Sequence, residues 1–180
     1  MAYTDTGRKA EAQGGGVGSL NVTLNSTVAG NFLALGSSVY QDETAVAVSD
    51  GVNGSYTQSF RVHVQFATAA LHYVANNGGG NLTITSDPSG GAGTYDMSIY
   101  AHEFSGGPTS APASGTPATN TGTGTTSSTT AMTPADNDVL LLAVDSHTTS
   151  GTVTENAGGD GFSLSNEHES GASAEPGSLV

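Results

Sequence analysis

The chain has 180 residues, sets 3 Lys+Arg against 16 Asp+Glu for a formal charge of -13, and contains 26 Gly, no Cys and no Trp. Arg8 and Lys9 are adjacent and Arg61 is the third basic residue, so no basic patch for a nucleic-acid backbone or an anionic membrane surface can be assembled. Thiolate chemistry, disulfides and cysteine zinc sites are excluded, and no apolar run approaches the roughly 18–20 residues of a membrane-spanning helix.

The length predicts one domain, and hydrophobic residues at 35% predict a thin core. Residues 1–16 are polar, mixed in charge and end in Gly14-Gly15-Gly16; they read as a flexible N-terminal arm. The arm has no apolar signal-peptide core, which points to folding in the cytoplasm. From Val17 the chain alternates: Leu20, Val22 and Leu24 on one face, Asn21, Thr23 and Asn25 on the other, the period of a strand. A second strand is expected over 31–40, and a short one at Val46 and Val48 runs into the turn dipeptides Asp50-Gly51 and Asn53-Gly54. Phe60, Val62, Val64 and Phe66 share one face of the next. Leu71 to Val74, the turn Asn76-Asn77-Gly78-Gly79-Gly80, and Leu82/Ile84 follow. A longer strand over 95–104 puts Tyr95, Met97, Ile99 and Ala101 on one side, with Asp96, Ser98, Tyr100 and His102 on the other.

Residues 107–133 are almost all Thr, Ser, Gly, Pro and Ala, the composition of a loop or of an edge strand, with a Thr-rich strand expected within 121–132. The run Val139 to Val144 is the most hydrophobic in the chain and reads as a strand buried on both faces, so one domain spans 17–166. Short strands at Val153 and Phe162/Leu164 precede a polar C-terminal tail, 167–180. The sum is an all-β chain of roughly nine or ten short strands, an antiparallel two-sheet β-sandwich.

The succession AGNFL at 29–33, SDGVNGSY at 49–56, ALHYVANNGGGNLTIT at 70–85, IYAHEFSG at 99–106 and NDVLLLAV at 137–144 resembles a jelly-roll-like β-sandwich domain. Such domains occur in virion proteins of tailed phages and in large bacterial surface proteins. The resemblance covers about 17–166, implies a jelly-roll-like fold and a structural role, and carries over no catalytic residues. The surface-protein versions usually sit in long chains with secretion signals, so the present chain is expected to be a virion component. Where related domains finish with another apolar strand, this one gives EHESGASAEPGSLV, so an edge covered by a neighbouring chain is expected.

Candidate chemistry is sparse. His63, His72, His102, His147 and His168 could be joined by Glu103 or Asp145 at a metal, but the His-x-His spacing of cupin sandwiches is missing, and His63 and His102 lie on the polar phases of their strands. Gly161-Phe162-Ser163-Leu164-Ser165 lacks the last glycine of a nucleophile elbow, and no phosphate loop is present. The acid pairs Asp42/Glu43, Asp136/Asp138 and Glu167/Glu169 lack the Trp platforms of sugar hydrolases and read as solvated turns. Calcium is the metal that hard oxygens on turns would suit, with Asp136, Asp138 and Asp160 as candidate ligands beside Asn137, Glu155 and Asn156. The Asn-x-Ser/Thr sites at Asn21, Asn25, Asn53 and Asn81 are about as many as chance gives and carry no weight for glycosylation.

The expectation is a protein without catalytic residues or cofactor: a capsid decoration or head-associated protein on the outer surface of a tailed phage, assembled in the host cytoplasm. It would dock on the major capsid protein or another virion protein as a homo-oligomer, a trimer at a lattice three-fold, without nucleic acid or membrane. A tail or fibre component is one alternative. The other is a secreted adhesin or carbohydrate-binding module that stacks sugars on Tyr40, Tyr56, Tyr73, Tyr95 and Tyr100.

Overall fold

The computed structural model describes residues 3–40, 45–64, 67–88, 93–110, 166–168 and 177–179. Every regular element among them is a strand: β1 (Thr4–Val17), β2 (Leu20–Thr27), β3 (Phe32–Tyr40), β4 (Val46–Asp50), β5 (Gly54–Ser55), β6 (Thr57–Val64), β7 (Ala67–Val74), β8 (Gly80–Pro88), β9 (Tyr95–Ser105), β10 (Asn166–His168) and β11 (Gly177–Leu179). A strand stands at each place between 20 and 104 where the alternation predicts one, and residue 66, the end of the alternation from Phe60, lies outside the described residues.

Two antiparallel sheets face each other, one ordered β1-β9-β3-β7-β6 and one ordered β2-β8-β4-β5. The pairs β1 with β9, β2 with β8, β3 with β7 and β4 with β5 are nested, each strand on the way out meeting its mate on the way back. A long hairpin folded over on itself in this way gives the double-sheet jelly roll, with β6 added at one edge. The class of protein is therefore an all-β, jelly-roll-like sandwich.

Period-2 patterning supplies the core between the sheets. Val22 and Leu24 of β2, Leu33, Leu35 and Val39 of β3, Val46 and Val48 of β4, Leu82 and Ile84 of β8, and Tyr95, Met97, Ile99 and Ala101 of β9 form one buried cluster. On the opposite side of the four-stranded sheet Asn21, Thr23, Asn25, Asn81 and Thr83 stand exposed, so this sheet alternates cleanly between core and water. The outer face of the five-stranded sheet differs. Phe60, Leu71 and Tyr100 cluster there, as do Phe32, Ala34 and Phe104 with Tyr3 and Tyr73, and Tyr100 is wholly buried. β11 comes within 8 Å of β3 and β9.

One expectation is corrected. The arm expected over 1–16 is a strand from residue 4 onward: Thr4–Val17 is paired with β9 from Thr4↔Ser105 to Val17↔Tyr95. Its alternation is muted because Ala10 and Ala12, rather than branched residues, face the core opposite Lys9, Glu11 and Gln13. The polar tail 167–180 likewise contributes pairing, since 166–168 and 177–179 form a two-stranded ladder. The stretch 107–133, the run 139–144 and the strands expected at 153 and 162–164 lie outside the described residues beyond 110.

Candidate functional site

Polar side chains gather at two places. One is the end of the sandwich where the β2–β3, β4–β5 and β7–β8 connections meet. Asp50, the last residue of β4, accepts hydrogen bonds at Oδ1 from the backbone N–H of Val52 (2.6 Å) and Asn53 (2.7 Å), the local turn that Asp-Gly favours. Its Oδ2 accepts from Asn53 Nδ2 (2.8 Å) and from the Tyr56 hydroxyl (2.6 Å). Desolvation of Asp50 works against ionisation, but these donors outweigh it and hold its carboxyl below the usual carboxylate range. Burial, and then the hydrogen bond to Asp50, push the Tyr56 phenol far up.

Asn53 passes the network on: its Oδ1 accepts from Gly78 N (2.9 Å) and its Nδ2 also donates to Asn77 Oδ1 (3.2 Å). Asn77 is 1% exposed. Its side chain donates to Val28 O (3.3 Å) and accepts from Gly79 N (3.1 Å), while its backbone exchanges bonds with Gly30 and Asn31. Gly79 is required where it stands: its φ is +81°, and a Cβ there would lie 2.8 Å from the backbone N of Ala29. Asn53 and Asn77 therefore fasten three loops to one another.

The second cluster lies along the β1/β9 seam. Glu103 continues the inward phase of Tyr95, Met97, Ile99 and Ala101, and is 0% exposed. Its Oε1 accepts from Val28 N (2.6 Å), and its Oε2 accepts from Arg8 Nη1 (3.0 Å) and Thr6 Oγ1 (3.2 Å). One residue away, His102 Nε2 donates to Asp5 Oδ1 (2.7 Å), its ring 4.3 Å from that of Phe104. Desolvation raises the Asp5 carboxyl, but hydrogen bonds from His102 and the backbone N–H of Gly7, with the charges of His102 and Lys9, bring it below its ordinary value. Both pairs join the N-terminal strand to β9.

His72 sits apart, on the inner face of β7 and 3% exposed. Its Nε2 donates to the carbonyl of Val46 (3.1 Å) across the sandwich, and its Nδ1 is buried without a hydrogen-bond partner. Tyr56 N takes the carbonyl of Val48 (2.8 Å), so His72 serves the next free carbonyl along β4, where the two-residue β5 has stopped. Burial lowers the His72 pKa to about 4, the hydrogen bond to Val46 opposing it, and the ring is neutral at pH 7.

The remaining candidates scatter. His63 Nδ1 and Thr68 Oγ1 share a cross-strand hydrogen bond of 2.8 Å, as a histidine on a polar strand phase should. His102, placed on that same phase, is buried instead, because the outer face of β9 is covered. Tyr56, Tyr95 and Tyr100 are buried and Tyr73 stacks on Phe32, so these four offer no exposed platform for a sugar ring. Among the described residues no three His, Asp or Glu side chains are placed to hold a metal. Asp42, Glu43, Asp136, Asp138, Asp145, His147, Asp160, Ser163 and Glu169 lie outside the described residues. Glu167 and His168 fall on β10.

Sequence reasoning missed the bonds of Arg8, Asp5 and Asn77. The available signal was Glu103 itself, a carboxylate on the core phase of a strand, which must find donors. Comparison of the chain with family models, with curated proteins and with solved structures gives no match.

Proposed function

We propose that the protein is a non-enzymatic structural component of a virus particle, a decoration or head-associated protein on the outer surface of a tailed-phage capsid. The observation that carries this reading is how the jelly roll spends its polar side chains. Glu103, Asp50 and His72, the groups best suited by burial to become acids or bases, are each committed to backbone N–H, backbone carbonyls or neighbouring strands. Their bonds hold shape rather than face a cleft. Jelly rolls recur as capsid building blocks, and a charge of -13 keeps such a surface off packaged nucleic acid, which favours the outside of the shell. Docking would be on the major capsid protein, with several copies per particle.

Density-gradient banding of particles from the native source, followed by peptide mass spectrometry, tests the reading. The chain is expected in the particle band at a fixed ratio to the capsid protein. Recovery only in the soluble fraction overturns the reading.

A further inference from the structure

β1 is built differently from the strands it joins. None of its 14 residues is buried, whereas β3 and β9 bury nearly every residue. Its apolar share in the core is Ala10, Ala12 and Val17, each only partly buried. Apolar burial scales with area, so two alanines and one valine contribute little. What holds β1 is specific instead: the backbone ladder to β9, Arg8 and Thr6 on the buried Glu103, and Asp5 on His102. The strand is also hinged. Gly14, Gly15, Gly16 and Gly18 lie at its junction with β2, the register slips between Gly14 and Val17, and Gly16 has a φ of +66°. An element held by specific bonds rather than by apolar burial, and carried on a glycine hinge, has the makings of exchange between identical chains, because the same bonds can be re-formed in full on a second copy.

We propose that β1 exchanges between copies of this chain, leaving its own β9 and pairing with β9 of a second copy in the same register. The partner is a second copy because the vacated edge asks for one sequence: a guanidinium and a hydroxyl for Glu103, a carboxylate for His102, and small residues between. Extended, the 14 residues span about 45 Å, long enough to reach across a neighbour. Exchange adds no new kind of contact, since each seam reproduces the one seen within a chain. The inference concerns copies of this chain and stands whether or not the assembly is a virion.

The chain contains no cysteine, so introduced thiols report cleanly. Thr4 and Ser105 face each other at the open end of the seam and neither is buried. Thr4→Cys and Ser105→Cys chains, purified separately, mixed, incubated and oxidised, should give a cross-linked heterodimer joining position 4 to position 105. The yield should rise with incubation before oxidation and exceed by about tenfold that of Thr4→Cys mixed with Ser55→Cys, an exposed site on β5, because a held pair outruns a collisional one. Equal yields overturn the proposal. The double variant Thr4→Cys/Ser105→Cys, oxidised at high dilution, locks β1 at home. It should remain monomeric by light scattering at concentrations where the parent chain associates, and association equal to the parent's overturns the proposal by a second route.

Discussion

The two polar clusters solve different problems with different chemistry. At the loop end, three connections are fastened chiefly by amides, Asn53 and Asn77, anchored on the single carboxylate of Asp50. Along the β1/β9 seam one strand is fastened by ionisable pairs, Arg8 on Glu103 and His102 on Asp5. An amide both donates and accepts at every pH, so the links that Asn53 and Asn77 make among the loops do not titrate, and the one group of the clasp that does, Asp50, has its carboxyl held below the usual range by its donors. A buried carboxylate is conditional: satisfied it specifies a partner, and stripped of donors it opposes the fold. The molecule thus uses amides where loops must stay together and charge where a strand must be recognised.

Breaking the seam should have the largest effect. Glu103→Ala leaves Val28 N and Arg8 without their acceptor, while Thr6 Oγ1 keeps the backbone carbonyl of residue 103 (2.8 Å), and is expected to cost about 3–5 kcal/mol in urea unfolding, the scale for breaking a buried ion pair. Amide exchange in β1 should quicken more than in β3; equal protection of both strands would erase the contrast drawn above. Asn77→Ala, at the clasp, should cost about 2–4 kcal/mol by orphaning Val28 O and Gly79 N, while β1 keeps its protection.

His72 sharpens the comparison with pH. Its folded pKa of about 4 lies below the ordinary value of 6.5, so between those values the unfolded chain binds the proton and the native one does not. Stability from this group is complete above about pH 6.5 and is lost as pH falls towards 4, by up to ~3 kcal/mol. Thermal melts of His72→Leu should show a flatter acid limb than the parent over that window, from a lower plateau because Val46 O loses its donor. The smallest effect belongs to the exposed sheet: Thr85→Val removes a hydroxyl donating to Asn21 Oδ1 at 2.8 Å and should shift stability by less than about 0.5 kcal/mol.

The inner faces of β2, β4, β8 and β9 were legible because branched and aromatic residues alternate there with Asn, Thr and Ser. β1 was not, because alanine and glycine carry no hydrophobic signal and the strand forms only when β9 is present to pair with it. The alternation of Phe60 and Val62 was readable, but which side of the sheet it faced was not. Those residues lie on the outer face, since period two fixes that two faces exist and leaves open which one meets the core. Asn77 looked like one turn residue among several; its place in the clasp depends on two other loops, which no local pattern encodes.

The nested topology has a consequence in time. Ser105 and Thr4, at the ends of the outermost pair, are 101 residues apart in the chain. At about 5–20 residues per second on the ribosome, β1 emerges roughly 5–20 seconds before the strand it pairs with exists. Of the described strands of the two sheets β1 is made first and β9 last, so the loop between them is the longest that these strands must close. Until then β1 is free to meet the β9 of another nascent chain on the same message, so the synthesis rate and the spacing of ribosomes help decide whose edge it fills.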